Sequence, residues 1–170
     1  MIRVVKAALA LPVLLAGLFL GGAAAFAQSP SSGSIQVWVT PSLTGKGGGK
    51  ILITGAIADY GVTKKAKGSN TVVLRKGTIV VNLKQFNAAT NNVNPTINQS
   101  NCSTSFTASA LVPIVSGTGA YTGITGSFTL TAQYAFILPK TKSGSCNTSN
   151  NAKPVSQYGS VSGSGTVSLP

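Results

Sequence analysis

Apolar and polar residues alternate along most of this chain, and the alternation predicts β-strands. The clearest runs are STSFTASALVPIV at 103–115 and SFTLTAQYAFIL at 127–138, in which nearly every second residue is apolar. Shorter runs of the same kind are IQVWVT, KILITGAIADYG, TIVVNLKQF and SVSGSGTVSL. A period of two residues is typical of strands that bury one face.

In each run, one set of alternating side chains is expected to face a core. The set consists of Ile35, Val37, Val39, Ile51, Ile53, Ile57, Ile79, Val81, Leu83, Phe106, Ala108, Ala110, Val112, Ile114, Phe128, Leu130, Ala132, Tyr134, Phe136, Leu138, Val161, Val167 and Leu169. No window has the apolar spacing of a helix. The sequence therefore predicts an all-β domain over 35–170, a single antiparallel β-barrel of about seven or eight strands.

Segments rich in glycine, lysine and asparagine separate the predicted strands. TGKGGGK at 44–50 and KKAKGSN at 64–70 are predicted turns, and 87–101 and 139–154 are predicted loops. Pro113 predicts an edge position or a bulge, because proline has no backbone N–H to donate. GKGGGK does not match a phosphate-binding loop, since Ile51 stands where that motif needs Ser or Thr.

The first 27 residues have the pattern of a secretory signal peptide. Arg3 and Lys6 precede an apolar stretch that ends with AFA at Ala27, which predicts cleavage after that residue. Residues 28–34 then form a flexible leader. An uncleaved membrane anchor is the alternative, and Pro12 with several glycines disfavours it. We expect a secreted or envelope-associated protein that has no transmembrane span after cleavage.

The few residues that carry strong chemistry exclude many kinds of site. An even count of cysteines in an exported chain predicts a disulfide between Cys102 and Cys146, whereas a catalytic thiol would need a base, and histidine is absent. Asp59 is the only acidic side chain. Most metal sites, Ser-His-Asp triads and paired-carboxylate glycosidases therefore cannot be built. No metal or cofactor is predicted, and chemistry would have to use Asp59, the lysines, Arg75 or the tyrosines.

The charge balance is strongly basic. The chain has 13 Lys and Arg against one acid, and removal of the signal peptide would leave a net charge of about +10. Such a surface attracts polyanions, so an anionic cell-envelope polymer is one expected partner. Nucleic acid is not expected, because the basic residues are spread widely and KKAK at 64–67 is the only tight cluster.

The glycine-rich segment GTGAYTGITG at 117–126 lies between the two longest predicted strands. Thr122 stands where a dinucleotide-binding fingerprint needs its third glycine, and a strand rather than a helix follows. The segment therefore predicts a hairpin turn, in which glycines permit positive φ angles. The structural residues of this turn are Gly117, Gly119, Tyr121, Gly123 and Gly126.

These five residues resemble the GGTG-aromatic-x-G-x-x-G turn of the dirigent proteins and allene oxide cyclases. The stretch from Ile53 to Leu169, which contains GAIADYG and SGSCNTSNNAKP, also looks like small exported actinobacterial proteins. The resemblance implies an eight-stranded barrel whose apolar lumen holds a small hydrophobic molecule. It carries over no catalytic residue, because no matching motif is present.

Three functions follow as hypotheses. The first is binding of a small apolar ligand in the lumen beside Tyr134 and Phe136, with a solid core as the alternative. The second is attachment of a basic protein to anionic envelope polymers. The third is a cyclase or isomerase that uses Asp59 or a tyrosine. A lipid-embedded barrel is disfavoured, because the aromatic residues do not form two girdles.

Asp59 has two interpretations. Strict alternation with Ile51, Ile53 and Ile57 sends it inward, where its pKa is expected to rise unless a cation pairs with it. It would then anchor a ligand or act as a general base. Alternatively, it caps a turn at Gly61, since Asp before Gly is common in turns.

Overall fold

A computed structural model describes residues 31–42, 48–66, 69–149 and 151–170. Eight antiparallel strands form a closed barrel in the order of the chain, and β1 pairs with β8 to close it. The strands are β1 Gly33–Thr40, β2 Lys50–Gly55, β3 Asp59–Ala66, β4 Ser69–Leu74, β5 Gly77–Val81, β6 Ser103–Gly119, β7 Thr125–Ile137 and β8 Ser156–Ser168. The predicted all-β barrel is confirmed.

The predicted signal peptide lies outside the described residues. The leader is described only from Ser31, and its last two residues already belong to β1. Among the residues that the structure describes, no helix is long and apolar enough to span a membrane.

The alternating apolar side chains meet inside the barrel. The buried core consists of Ile35, Val37, Ile51, Ile53, Ile57, Val72, Leu74, Ile79, Val81, Phe86, Val112, Tyr121, Ile124, Phe128, Leu130, Ala132, Val161 and Val167. Val39, Leu83, Ala110, Ile114, Tyr134 and Leu169 pack against this core while partly exposed. Burial of one face explains why the period-two pattern predicts these strands well.

The connections between the strands define two ends of the barrel. The turn end has the start of β1, the β2–β3, β4–β5 and β6–β7 turns, and the end of β8. The loop end has the end of β1, the start of β2, the end of β3, the start of β4, and residues 82–102, 138–149 and 151–155.

The wall formed by β6, β7 and β8 extends past the rest of the barrel at the loop end. β5 pairs only with Ile114–Gly119 of β6, whereas the preceding half of β6 pairs with β7. β1 likewise pairs with β8 only from Val161 onward. Residues Lys84–Asn91 contact β6, and Phe136 in the extended part of β7 packs on the Cys102–Cys146 cluster.

The prediction that no segment is helical is wrong for residues 84–91. Lys84–Asn91 form a short helix, α1, which contacts β6. β5 therefore ends at Val81, and Leu83 takes the cap position of the helix instead of a strand position. Phe86 is the only buried residue of α1. One anchoring side chain gives no apolar periodicity, so the helix depends on packing rather than on an amphipathic pattern.

The predicted joins are partly confirmed. KKAKGSN is mostly strand, because β3 continues to Ala66 and Lys65 pairs with Asn70; the remaining residues, 67–68, lie outside the described part. Residues 43–47 of the first glycine-rich segment also lie outside it. Pro113 occupies a local edge, as predicted, because it pairs with Ser127 of β7 and lies just before Ile114, where pairing of β6 with β5 begins. A shift in the β5–β6 register does occur close by, between Val80 and Val81.

Cys102 and Cys146 form the predicted disulfide. It joins the end of the 82–102 segment to the loop between β7 and β8, and it is buried with Leu138. Ile97 and Phe136 pack against it. Structural disulfides are typical of oxidising compartments, so the bond suggests an extracellular protein.

Candidate functional site

An apolar cavity of about 260 Å³ occupies the lumen at the loop end of the barrel. Its apolar lining includes Val37, Val39, Ile51, Val72, Val81, Leu83, Phe86, Phe128, Leu130 and Val161. Valine supplies half of these side chains, and its short branches leave the space open. At the turn end the larger side chains of Ile57 and Tyr121 are fully buried and fill the lumen.

Tyr134 lines the cavity and Phe136 does not; contact of either side chain with a ligand stays a prediction. The Tyr134 ring packs against Phe106, with 5.3 Å between the ring centres. Phe136 is two residues further along β7 and packs on the disulfide. The two aromatic residues lie on the same face of the strand, but Tyr134 packs against the barrel core and Phe136 packs against the disulfide cluster.

Polar groups lie on the loop-end side of the cavity. Thr63 is already engaged, since its hydroxyl accepts a hydrogen bond from the Gly49 N–H at 2.9 Å. Within the part of the chain that the structure describes, neither the Tyr134 hydroxyl nor the Asn70 carboxamide has a hydrogen-bond partner. These two groups can therefore form hydrogen bonds with a ligand without breaking a hydrogen bond within the protein.

Asp59 lies at the opposite end of the barrel, where it connects three hairpin turns. It is the first residue of β3 and is 6% exposed. Its Oδ2 accepts hydrogen bonds from the Tyr121 hydroxyl at 2.6 Å and from the Lys76 N–H at 3.0 Å. Its Oδ1 accepts from the Tyr60 N–H at 2.8 Å. We call Asp59, the Tyr121 hydroxyl and these two N–H groups the Asp59 cluster.

The Asp59 cluster keeps the carboxylate ionised. Burial acts to raise the pKa of Asp59, but the bond from Tyr121 and the backbone N–H groups of Lys76, Tyr60 and Arg75 outweigh burial and lower the pKa below its usual 3.8. Burial and the adjacent Asp59 charge raise the pKa of Tyr121 well above its usual 10.0. Asp59 is therefore a charged acceptor at neutral pH, and Tyr121 is a neutral donor.

Two predictions about Asp59 need correction, namely the rise of its pKa and the turn at Gly61. The expected rise in pKa without a cationic partner does not occur, because a hydroxyl and backbone amides stabilise the charge. Gly61 is not a turn residue but lies in β3, paired with Ile51 and Leu74. Inward placement by alternation is correct, and the turn that Asp59 caps is the distant β4–β5 turn. Its role toward a ligand stays a prediction.

The glycine segment forms the β6–β7 hairpin, as predicted. Gly119, Gly123 and Gly126 have φ of +62°, +78° and +127°, which favour glycine. Gly117 lies within β6, where a Cβ atom would come 2.1 Å from the Tyr121 carbonyl oxygen. The small residues thus let the turn fold closely enough to bury Tyr121 against Asp59.

Sequence reasoning missed the bond between Asp59 and Tyr121. The one available signal was the lone acid at an inward position, which requires a buried partner. Nothing in the local pattern identifies that partner, because Tyr121 is 62 residues away.

A comparison with known proteins finds no matching family model, no matching curated protein and no matching solved structure. The eight-stranded barrel that the glycine turn implies is present. Kinship with the dirigent and allene oxide cyclase group stays a prediction.

Proposed function

We propose that the barrel binds a small, mostly apolar molecule in its lumen at the loop end. The observation that supports this proposal is the apolar cavity. A lumen filled by side chains would contain no such cavity. An engineered cavity of about 150 Å³ takes up benzene. By simple scaling, 260 Å³ holds about ten non-hydrogen atoms. Naphthalene and 2-naphthol are therefore suitable probes.

The two free polar groups indicate the form of the ligand. An apolar ligand that carries one hydroxyl or carbonyl group can bond to Tyr134 or Asn70 while its body contacts valine and phenylalanine side chains. Ligand sites of this kind use a few polar groups to fix orientation in a mainly apolar wall.

The test is calorimetric titration with naphthalene and 2-naphthol. Val39 lines the cavity and is half-buried, so Val39→Phe extends into the empty space. We expect this variant to bind both probes with an affinity about tenfold lower, a loss of ~1.4 kcal/mol of binding free energy. Val80→Phe is the matched control, because Val80 alternates with the inward Ile79 and Val81 and points outward.

A second pair of measurements tests the polar contact. Tyr134→Phe removes only the hydroxyl, so binding of 2-naphthol should weaken while binding of naphthalene is kept. The proposal fails if neither probe binds, or if Val39→Phe and Val80→Phe bind them equally well. Native mass spectrometry of protein from its own host then identifies the natural ligand.

A cyclase or isomerase would need an acid or base in the same cavity. Among the described lining residues, Tyr134 and Lys64 are of titratable types, and the Lys64 side chain lies on the exposed face of β3. Asp59 does not line the cavity, and the donors Tyr121, Lys76 and Tyr60 lie with it at the turn end. The arrangement therefore favours binding over acid–base catalysis.

Attachment to anionic envelope polymers is a second candidate function. The burial of Asp59 supports it, because the only side-chain carboxylate is enclosed and the charged side chains on the surface are cations. The test is release from isolated envelopes by salt, since attraction between exposed charges is largely screened at a few tenths molar salt. Retention at high salt would contradict attachment by charge.

A further inference from the structure

Three large apolar side chains form a row on the outer wall of β1, β2 and β3. Trp38 pairs with Leu52, and Leu52 pairs with Tyr60. Directly paired residues point to the same face of a sheet, so their side chains are neighbours. We call these three residues the aromatic strip; they are 46%, 47% and 54% exposed. A contiguous exposed apolar surface marks an interaction site more often than scattered residues do.

The barrel itself does not require apolar side chains at this level of the wall. On the other side of Trp38, the same row continues with Ser162 of β8 and Thr131 of β7. These residues are also in strands and also face outward, and they are polar. The row therefore changes from hydroxyl groups to large apolar groups without any change in backbone structure.

Cations border the aromatic strip. The Arg75 guanidinium lies 5.3 Å from the centre of the Tyr60 ring and donates a hydrogen bond to the Tyr60 hydroxyl at 3.3 Å. Lys50 is exposed on the same face of β2 as Leu52. Lys64 is exposed on the same face of β3, four residues beyond Tyr60 and about 13 Å along the strand. No side-chain carboxylate neutralises them, because the only one is buried in the Asp59 cluster.

This combination fits one chemical class of partner. Aromatic rings stack on the apolar faces of sugar rings, and cations pair with carboxylate or phosphate groups. Trp38 and Tyr60 are two strands apart, which separates them by about 9–10 Å. The two rings can therefore stack on different sugars of one chain. We propose that the aromatic strip and its cations bind an acidic polysaccharide.

The proposal rests on the second candidate function and adds recognition of the sugar to attraction by charge. A lipid surface fits less well, because the strip lies on a strand wall rather than on a projecting tip that could enter the headgroup layer. A second copy of the chain fits less well too. A two-fold contact would bring the same cations of both copies together, and like charges at an interface are costly.

Trp38 is the only tryptophan of the chain, so its fluorescence reports directly on the aromatic strip. We expect polygalacturonate to change that fluorescence in a saturable way and dextran, a neutral polysaccharide, to leave it unchanged. Polyphosphate supplies the charge without the sugar. It should bind by calorimetry but more weakly per charge, and without the same fluorescence change.

Variants then separate stacking from charge. Tyr60→Ala should weaken polygalacturonate binding by about tenfold, because exposed aromatic anchors dominate such contacts, and it should leave polyphosphate binding unchanged. Leu111→Ala is the matched truncation on the outer face of β6, where Leu111 is 48% exposed, and it should alter neither. Arg75→Gln should weaken polygalacturonate binding more than Lys153→Gln, a distant cation.

Several results would overturn the proposal. Equal polygalacturonate affinity in Tyr60→Ala and Leu111→Ala would show that the aromatic strip is not used. Equal binding of both polyanions, with Arg75→Gln and Lys153→Gln equally harmful, would leave attachment by charge in place but remove the sugar site. A Trp38 response to phosphatidylglycerol vesicles without one to polygalacturonate, or a dimer at micromolar concentration, would assign the strip to another occupant.

Discussion

Replacement of Tyr121 by phenylalanine tests what holds the turn end of the barrel together. The change removes one atom, the phenol oxygen that donates to Asp59 at 2.6 Å. The ring, which is fully buried, stays in place. Asp59 keeps the N–H groups of Tyr60 and Lys76 as donors. The perturbation is therefore confined to one hydrogen bond.

The size of the effect follows from the charge of the acceptor. A hydrogen bond to an ionised group contributes about 1.5–3 kcal/mol, and a buried carboxylate that loses a donor is less well compensated for its desolvation. We expect the free energy of unfolding at pH 7 to fall by about 2 kcal/mol. For a domain of this size, that corresponds to a melting temperature lower by about 6–8 °C.

The pH dependence distinguishes this bond from simple packing. The folded-state pKa of Asp59 is below 3.8, so its stabilising contribution is present above that pH and is lost as the pH falls through the folded value. The difference between wild type and Tyr121→Phe should therefore shrink in acid. The pKa of Tyr121 is raised, so the contribution of its protonated form is present below pH 10.0 and is lost as the pH rises through the folded value. Tyr121→Phe has no hydroxyl to ionise, so its free energy of unfolding should not fall at high pH for this reason.

The assay is denaturant unfolding across a pH series, with Tyr158→Phe as the matched control. Tyr158 is 67% exposed on β8, so loss of its hydroxyl should change stability by less than about 0.5 kcal/mol. If the two variants are equally stable at pH 7, the Asp59 cluster does not hold the turn end. A deficit of Tyr121→Phe that is the same at every pH would refute the assignment of an ionised acceptor.

Three further predictions concern the rest of the fold. Loss of the disulfide in Cys102→Ser/Cys146→Ser should lower the free energy of unfolding by about 4 kcal/mol in the loop-entropy model, which thermal melting of the purified variant checks; an unchanged melting temperature would contradict it. Leu130→Asp should prevent folding, because Leu130 is buried, whereas Thr129→Asp on the exposed face should fold; equal soluble yields and equal circular dichroism would reverse the inside-outside assignment. Gly117→Ala should destabilise the β6–β7 hairpin, because its Cβ would lie 2.1 Å from a backbone oxygen, whereas Gly144→Ala meets no atom within 4 Å; comparable stability of the two in urea would show that the turn adjusts freely.

The barrel was predictable because one face of each strand is buried in an apolar core. Phe128 and Leu130, for example, alternate with Thr129 and Thr131, and burial follows that pattern closely. The helix α1 was not predictable in this way. Its residues are mostly polar, and Phe86 alone is buried, so the local sequence contains no periodic signal. Its contact with β6 depends on where the chain has already placed that strand.

The candidate site was predictable only in part, because it depends on which inward residues lie at the same end of the lumen. Alternation puts both Asp59 and Tyr134 inside, and the sequence alone allows them to share one site. The strand register separates them: Asp59 pairs near the β2–β3 turn, whereas Tyr134 pairs with Phe106 and Gly159 in the extension of the wall. The volume left between the valines is likewise a property of the closed barrel rather than of any segment.

Salt separates the two proposed modes of binding, because they use different forces on opposite sides of the same wall. The cavity is lined mainly by apolar side chains, so its affinity for naphthalene should be nearly constant between low and high salt. The outer face offers exposed cations such as Lys50 and Arg75, and the Debye length falls from about 10 Å at 0.1 M to about 3 Å at 1 M. Polygalacturonate binding should therefore weaken steeply over that range, and calorimetric titrations of both probes on one sample measure this. A naphthalene affinity that falls together with polygalacturonate affinity would mean that the probe binds the charged outer wall instead of the lumen.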